Sequence, residues 1–268
     1  MKFIYLILIL IIFSCKNEEN KSAENPSPEF ITYEEYSGKE PNMPKETEVY
    51  VPVPPVVSVK ESNGVPSDAI TLFDNDNLDE WVSVNDNSKI VDWTINADSS
   101  FTIKSITGNI RTIKEFGDIQ LHLEWKSPID NASNVGQEVD SGVFLQGRYE
   151  IQILDNTSNT NFTNGFVASV YKQQIPLVKA TMPMGKWNTF DIVYHAPEFD
   201  KRGHKTKSAT ITLLHNGVLV QDNAEIKGTT RFIGWPKNEA HGKAPIILQN
   251  HKDSRKISFR NIWVRELN

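Results

Sequence analysis

The stretch SATITLLHNGVLVQD occupies residues 208–222 and decides the fold class. Apolar and polar residues alternate with period two before Asn216-Gly217, and the apolar run Val218-Leu219-Val220 follows it. Asn-Gly between two strand-like runs is the strongest short-range signal for a β-hairpin, because both residues tolerate the positive φ that a tight turn requires. The same alternation recurs outward from this point, in IQLHLEW (119–125), GVFLQ (142–146), YEIQIL (149–154), FDIVYH (190–195) and ISFRNIWVREL (257–267). No long segment carries a helical period. Short strands separated by Gly, Asn and Asp predict an all-β domain over residues 65–268, a sandwich or jelly roll of antiparallel sheets. Long connections at 127–140, 155–186, 197–207 and 227–244 interrupt the strands. Loops of that length are uncommon unless they serve a function, and here they are expected to wall a binding face.

The N-terminal part reads differently. Residues 3–13, FIYLILILIIF, follow Met1 and Lys2 and end in Ser14-Cys15. The run is too short to span a bilayer, which takes about 20 residues, and it fits the apolar core of a secretory signal. A small residue followed by the chain's single cysteine resembles a bacterial lipobox. On this reading residues 1–15 are a lipoprotein signal, Cys15 carries the lipid, and the protein sits at the bacterial cell envelope, anchored to a membrane, periplasmic or at the outer-membrane surface. Ordinary signal cleavage with an incidental thiol is the alternative. Residues 16–64 are acidic and contain Pro, including VPVPP. They are expected to form a largely disordered tether, because such a composition buries too little apolar surface to offset ordering. Phe30, Tyr33 and Tyr36 are the aromatic exception. The net charge of −6 argues against a nucleic-acid partner.

Three strand-like segments carry large polar groups on one parity. In GRYEIQILD (147–155), Arg148, Glu150 and Gln152 oppose Tyr149, Ile151 and Ile153. In LHLEW, His122 and Glu124 oppose Leu121, Leu123 and Trp125. In IILQNH, Gln249 and His251 share a side. Amides, Arg and carboxylates suit vicinal hydroxyls, which offer paired donors and acceptors. Glu and His at 122, 124, 150 and 251 could also hold a divalent cation. His195, His204 and His215 are expected at the surface, and His241 could join the site from its loop. Trp125 and Tyr149 fall on the apolar parity and read as core. No zinc, P-loop or nucleophile-elbow motif occurs.

At these residues the sequence resembles a known family. The strings DSGVFLQGRYEIQILD, VYKQQIPLVKATMPMGKWNTFDIVYHAP, LLHNGVLVQDN and PIILQNH…ISFRNIWVREL, with the opening ITLFDNDNLDEWV, are similar to the 3-keto-disaccharide hydrolase domain family over about residues 66–268. The resemblance implies a concanavalin A-like jelly-roll sandwich of two antiparallel sheets. It also implies a glycoside-processing hydrolase acting on sugars oxidised at C3. Carried onto this chain, the family's polar positions fall on Glu124, Arg148, Glu150, Gln152, Gln249 and His251. Asp155, at the end of its strand, is expected either to cap a turn or to reach into the cleft, and Lys172 is a further expected substrate contact. Two departures stand out. The family commonly has Asn-Ser at Asp140-Ser141, and Gln-Asp-His at Gln249-Asn250-His251.

A ketone at C3 acidifies the C2 proton, so a base can remove it and the C1 substituent can leave; water then adds. This chemistry needs a base, an acid and a positive group beside the enolate. Glu150 and His251 are expected as base and acid in either order. Arg148 or a bound cation would stabilise the enolate, and Gln152 and Gln249 would orient hydroxyls. A retaining glucanase would need two carboxylates about 5 Å apart, and the strand bearing Glu150 lacks the second. A lectin-like surface lipoprotein without catalysis is the non-enzymatic alternative, and an envelope scaffold with a dead site is a third.

Overall fold

A computed structural model describes residues 40–74, 76–129, 139–154, 162–251 and 256–267. Cys15, the leader, Phe30, Tyr33, Tyr36 and Asp155 lie outside the described residues. The chain divides into two compact units, residues 1–55 and 56–268. In the first, residues 40–55 hold one 3-10 turn, Pro44–Glu46. The second is the β domain.

Its strands are β1 (Ile70–Phe73), β2 (Trp81–Ser83), β3 (Thr94–Ile95), β4 (Phe101–Thr102), β5 (Ile110–Thr112), β6 (Ile119–Lys126), β7 (Asp140–Leu145), β8 (Tyr149–Leu154), β9 (Trp187–His195), β10 (Glu198–Phe199), β11 (Lys205–Lys207), β12 (Ala209–His215), β13 (Val218–Ile226), β14 (Ile247–Leu248) and β15 (Ser258–Glu266). An eight-stranded sheet runs β13-β12-β9-β6-β15-β4-β3, with β1 also paired to β15. A five-stranded sheet runs β2-β5-β14-β7-β8. All pairings in both sheets are antiparallel. The fold is the expected jelly-roll sandwich.

The hairpin at 208–222 forms as read. His215 pairs with Val218, and Asn216 and Gly217 adopt φ of 54° and 76°. The segment at 197–207 is not a plain loop, since β10 and β11 pair as a small ribbon.

One apolar core lies between the sheets. Leu121, Leu123 and Trp125 enter it from β6, and Tyr149, Ile151 and Ile153 enter it from β8. Because strand side chains alternate faces, His122 and Glu124 must point out through one sheet, and Glu150 and Gln152 out through the other. The two polar sets therefore sit on opposite outer faces of the sandwich. His215 also departs from expectation. It is buried, lies 4.9 Å edge-on from Phe190, and pairs through Nε2 with Asn188 Oδ1 at 3.1 Å. Burial lowers its pKa to about 4.

Candidate active site

The outer face of the five-stranded sheet holds a cavity of about 320 Å³. Three adjacent strands build its floor. On β7, Ser141, Val143 and Leu145 face the core, so Asp140, Gly142 and Phe144 face out. Gly142 pairs with Gln152 on β8, and Phe144 pairs with Glu150. On the other side of β7, Gln249 continues β14: its backbone N–H donates to the Gly142 carbonyl at 2.9 Å, and its carbonyl accepts from the Ser141 hydroxyl at 2.7 Å. Glu150 and Gln249 thus flank Gly142, whose missing side chain opens the floor. A Cβ on Gly142 would come within 2.6 Å of Glu150 Oε1.

Loops supply the walls. β8 is an edge strand, and its free backbone groups are taken up by residues 168–171 and Thr230. Gln152 exchanges hydrogen bonds with Ser169 and Ala168, the Tyr171 N–H donates to the Glu150 carbonyl, and the Glu150 N–H donates to Thr230 Oγ1 at 3.1 Å. Satisfying that edge carries Tyr171, Thr230 and Phe232 to the rim beside Glu150, Gln152, Gln249 and His251.

The electrostatics of the cavity are unbalanced. Glu150 is only 6% exposed. Burial, with the nearby Asp140 carboxylate as a smaller cause, raises its pKa to about 8. It is therefore mostly protonated at neutral pH. Gln152 donates to Asp140 Oδ1 at 3.1 Å, but its own Oε1 is buried without a partner, as is Gln249 Oε1. Buried acceptors without donors are costly and are rarely left so without reason. His251 Nε2 lies 3.8 Å from Asp140 Oδ2. Burial raises the Tyr171 pKa, and Glu150 and Asp140 add to the shift.

The expected residues thus divide. Glu150, Gln152, Gln249 and His251 come together. Lys172 lines a neighbouring cavity that shares Tyr171. Arg148 does not line the Glu150 cavity; it sits at the β7–β8 turn, where Nη1 donates to the Gln146 carbonyl at 3.3 Å. His241, the other loop candidate, is engaged with the Tyr149 hydroxyl at 2.7 Å.

Glu124 and His122 belong to the other sheet and cannot contact the same substrate, so the expectation that they join Glu150 and His251 is corrected. Parity alone had not revealed which sheet each strand enters. Among the described residues, no group of three or more His, Cys, Asp or Glu is placed to hold a metal ion. Five lining residues were missed as contributors, Phe144 of β7 among them. Asp140 was noted only as a departure from the family. Tyr171, Thr230 and Phe232 lie in the two long loops, whose length was the signal available. The other departure, Asn250, points away from the cavity and donates to the Lys104 carbonyl at 2.8 Å.

On the opposite face His122 and Glu124 form a closed network. His122 Nδ1 lies 2.6 Å from Asp191 Oδ1, and Arg260 Nε donates to Glu124 Oε2 at 2.6 Å. Asn261, at a bulge in β15 with φ of 46°, donates to Glu124 Oε1 at 3.0 Å. His122 stacks on Trp263 at 5.2 Å. Burial disfavours charge on His122, but the Asp191 and Glu124 carboxylates outweigh it and raise its pKa to about 9. Burial also works against the Glu124 carboxylate, yet His122, Asn261 and Arg260 lower its pKa to about 2.

A jelly-roll sandwich with a buried acid in an outer-face cavity is the class of protein that fold and site define. Residues 68–265 match the 3-keto-alpha-glucoside-1,2-lyase-like domain. The chain belongs to that family. It is 43% identical to a candidate glycosyl hydrolase from Parabacteroides distasonis, with a TM-score of 0.78, over 84% of this chain and 97% of that one. Two further candidate glycosyl hydrolases from the same organism share the fold. One has a TM-score of 0.57 at 17% identity, covering 79% of this chain and 99% of that one; the other has 0.53 at 20%, covering 74% and 99%. No curated protein matches the chain.

Proposed function

We infer that the Glu150 cavity receives a glycoside oxidised at C3 and releases its C1 substituent by elimination. The observation that carries this is Glu150 itself: a carboxyl only 6% exposed, its pKa raised to about 8 by burial, in a cavity where the amide oxygens of Gln152 and Gln249 lack donors. Such a group is poised to give a proton to a leaving oxygen.

In this reading His251, beside Asp140, takes the proton from C2. The C–H electron pair forms the C2–C3 double bond, and the C3 oxygen takes the negative charge. The enolate then restores the C3 carbonyl, forms the C1–C2 double bond and breaks the C1–O bond. The departing oxygen takes its proton from Glu150. Water can then add across C1 and C2, placing hydroxyl on C1 and hydrogen on C2, which makes the net change a hydrolysis without any redox step. Tyr171 and Thr230, which line the cavity where Arg148 does not, would supply hydroxyl donors to the enolate oxygen. The free amide oxygens of Gln152 and Gln249 accept from substrate hydroxyls.

Asp140 favours one competing route. It brings a second carboxylate to the cavity from the neighbouring strand, so direct glycoside hydrolysis by an acid pair is the alternative. Incubation with a 3-keto-disaccharide beside its unoxidised parent separates the two. Elimination predicts cleavage of the oxidised sugar alone, and cleavage of both at similar rates would overturn it.

The leader and Cys15 support attachment to a membrane of the bacterial cell envelope. Cys15→Ala is expected to move the protein from the membrane fraction to the soluble fraction.

A further inference from the structure

Beyond Tyr171 lies a second cavity of about 310 Å³, whose wall includes Phe162, Tyr171, Lys172, Arg231 and Trp235. The two cavities are joined through their lining. Tyr171 faces both, and the loop that gives Phe232 to the first gives Arg231 and Trp235 to the second. Lys172 ties the two loops together. Its Nζ donates to the Phe232 carbonyl at 2.6 Å and lies 4.4 Å from the Phe232 ring centroid.

Their chemistry is opposite. Asp140 and Glu150 line the first cavity, whereas the second has two cations and, among the described residues, no acid in its lining. Among the described residues no carboxylate pairs with Arg231. Trp235 is 88% exposed, so the cost of leaving a large aromatic in water has not been relieved by the fold. An exposed indole offers an apolar plane to a sugar ring, and a guanidinium beside it offers a forked donor to a carboxylate or sulfate.

The geometry points to a subsite for the departing half of the substrate, selective for a sugar residue bearing an anionic group. The inference rests on the elimination reading for which sugar reacts, but not for the existence of the subsite. The reacting ring sits over Gly142 and Glu150. The leaving sugar extends past Tyr171, stacks on Trp235 and places its anion at Arg231 and Lys172. Repulsion from Asp140 discourages the reverse orientation.

The test compares 3-keto-glucosides whose leaving group is glucose, glucuronate or glucose 6-sulfate. The expected result is a kcat/KM about tenfold higher for one or both anionic leaving groups. Arg231→Gln should bring the anionic-to-neutral ratio close to one, with an unchanged melting temperature as the control for folding. Trp235→Ala should raise KM for all three disaccharides, but not for a 3-keto-glucoside with a methyl leaving group. Equal kcat/KM across the series, or a preference that survives Arg231→Gln, overturns the subsite. If no oxidised sugar is cleaved, the elimination reading fails. The subsite is then judged by calorimetric binding of unoxidised glucosyl-glucuronate against glucosyl-glucose. Tighter binding of the uronate that Arg231→Gln abolishes supports it, and equal or absent binding overturns it.

Discussion

Both outer faces of the sandwich bring a Glu and a His together, His122 with Glu124 on one and Glu150 with His251 on the other, yet they treat them in opposite ways. On the eight-stranded sheet, Glu124 and His122 are closed in by Asp191, Arg260 and Asn261, and each is driven toward its charged form. On the five-stranded sheet, Glu150 is driven toward its neutral form, and the amide oxygens around it lack donors. Residue type does not separate the two faces. Satisfaction does: a network whose members meet each other's needs holds the sheet together, and one left incomplete is available to a ligand.

The largest expected effect comes from changing the same residue type on each face. Glu150→Gln should lower kcat on a 3-keto-glycoside by about 10³, within the range for loss of a general acid. Glu124→Gln should leave turnover nearly intact and cost about 2 kcal/mol of stability, between the values for exposed and buried pairs. Steady-state kinetics and denaturant melts on both variants read this directly. Gly142→Ala comes next. A new methyl 2.6 Å from Glu150 Oε1 must displace the carboxyl, and roughly 10- to 100-fold of kcat/KM should go with it, on the scale expected for a misplaced catalytic group.

The pH responses should also have opposite signs. With Glu150 as acid, kcat should fall as pH rises through about 8; a limb rising there would instead make it the base. Its raised pKa means the folded state holds a proton the unfolded state has released. The stability it contributes is full below about 4.5, declines as pH rises, and is gone above about 8. The melting temperature of Glu150→Gln relative to wild type should therefore climb across that window and then level off. Glu124 behaves the other way: its contribution is full above 4.5 and lost as pH falls through about 2. His122 contributes fully below 6.5 and loses that contribution as pH rises through about 9. The smallest effect is expected at Gln249. Replacing it with Met removes an acceptor that has no donor, so the fold should gain up to about 1 kcal/mol in a thermal melt while KM rises.

Strand positions and inward faces were legible in the sequence because side chains alternate with period two, and Asn216-Gly217 fixed a turn by its chemistry. The same period marked Glu150, Gln152, Gln249 and His251 as outward. It marked His122 and Glu124 as outward too, but a period carries no information about which of two sheets a strand joins. That depends on pairings between residues far apart in the chain, such as β6 with β9 and β15. Asp140 reaches the site through the pairing of β7 with β8, and Tyr171, Thr230 and Phe232 reach it because an edge strand needed backbone partners. None of these has a local signature beyond the length of the loops.

The most direct measurement is turnover of one 3-keto-disaccharide by Glu150→Gln and Glu124→Gln side by side, corrected for folded fraction. The account predicts that Glu150→Gln is slower by about three orders of magnitude and Glu124→Gln is close to wild type. A folded Glu150→Gln that turns over normally, or a folded Glu124→Gln that does not, would contradict it.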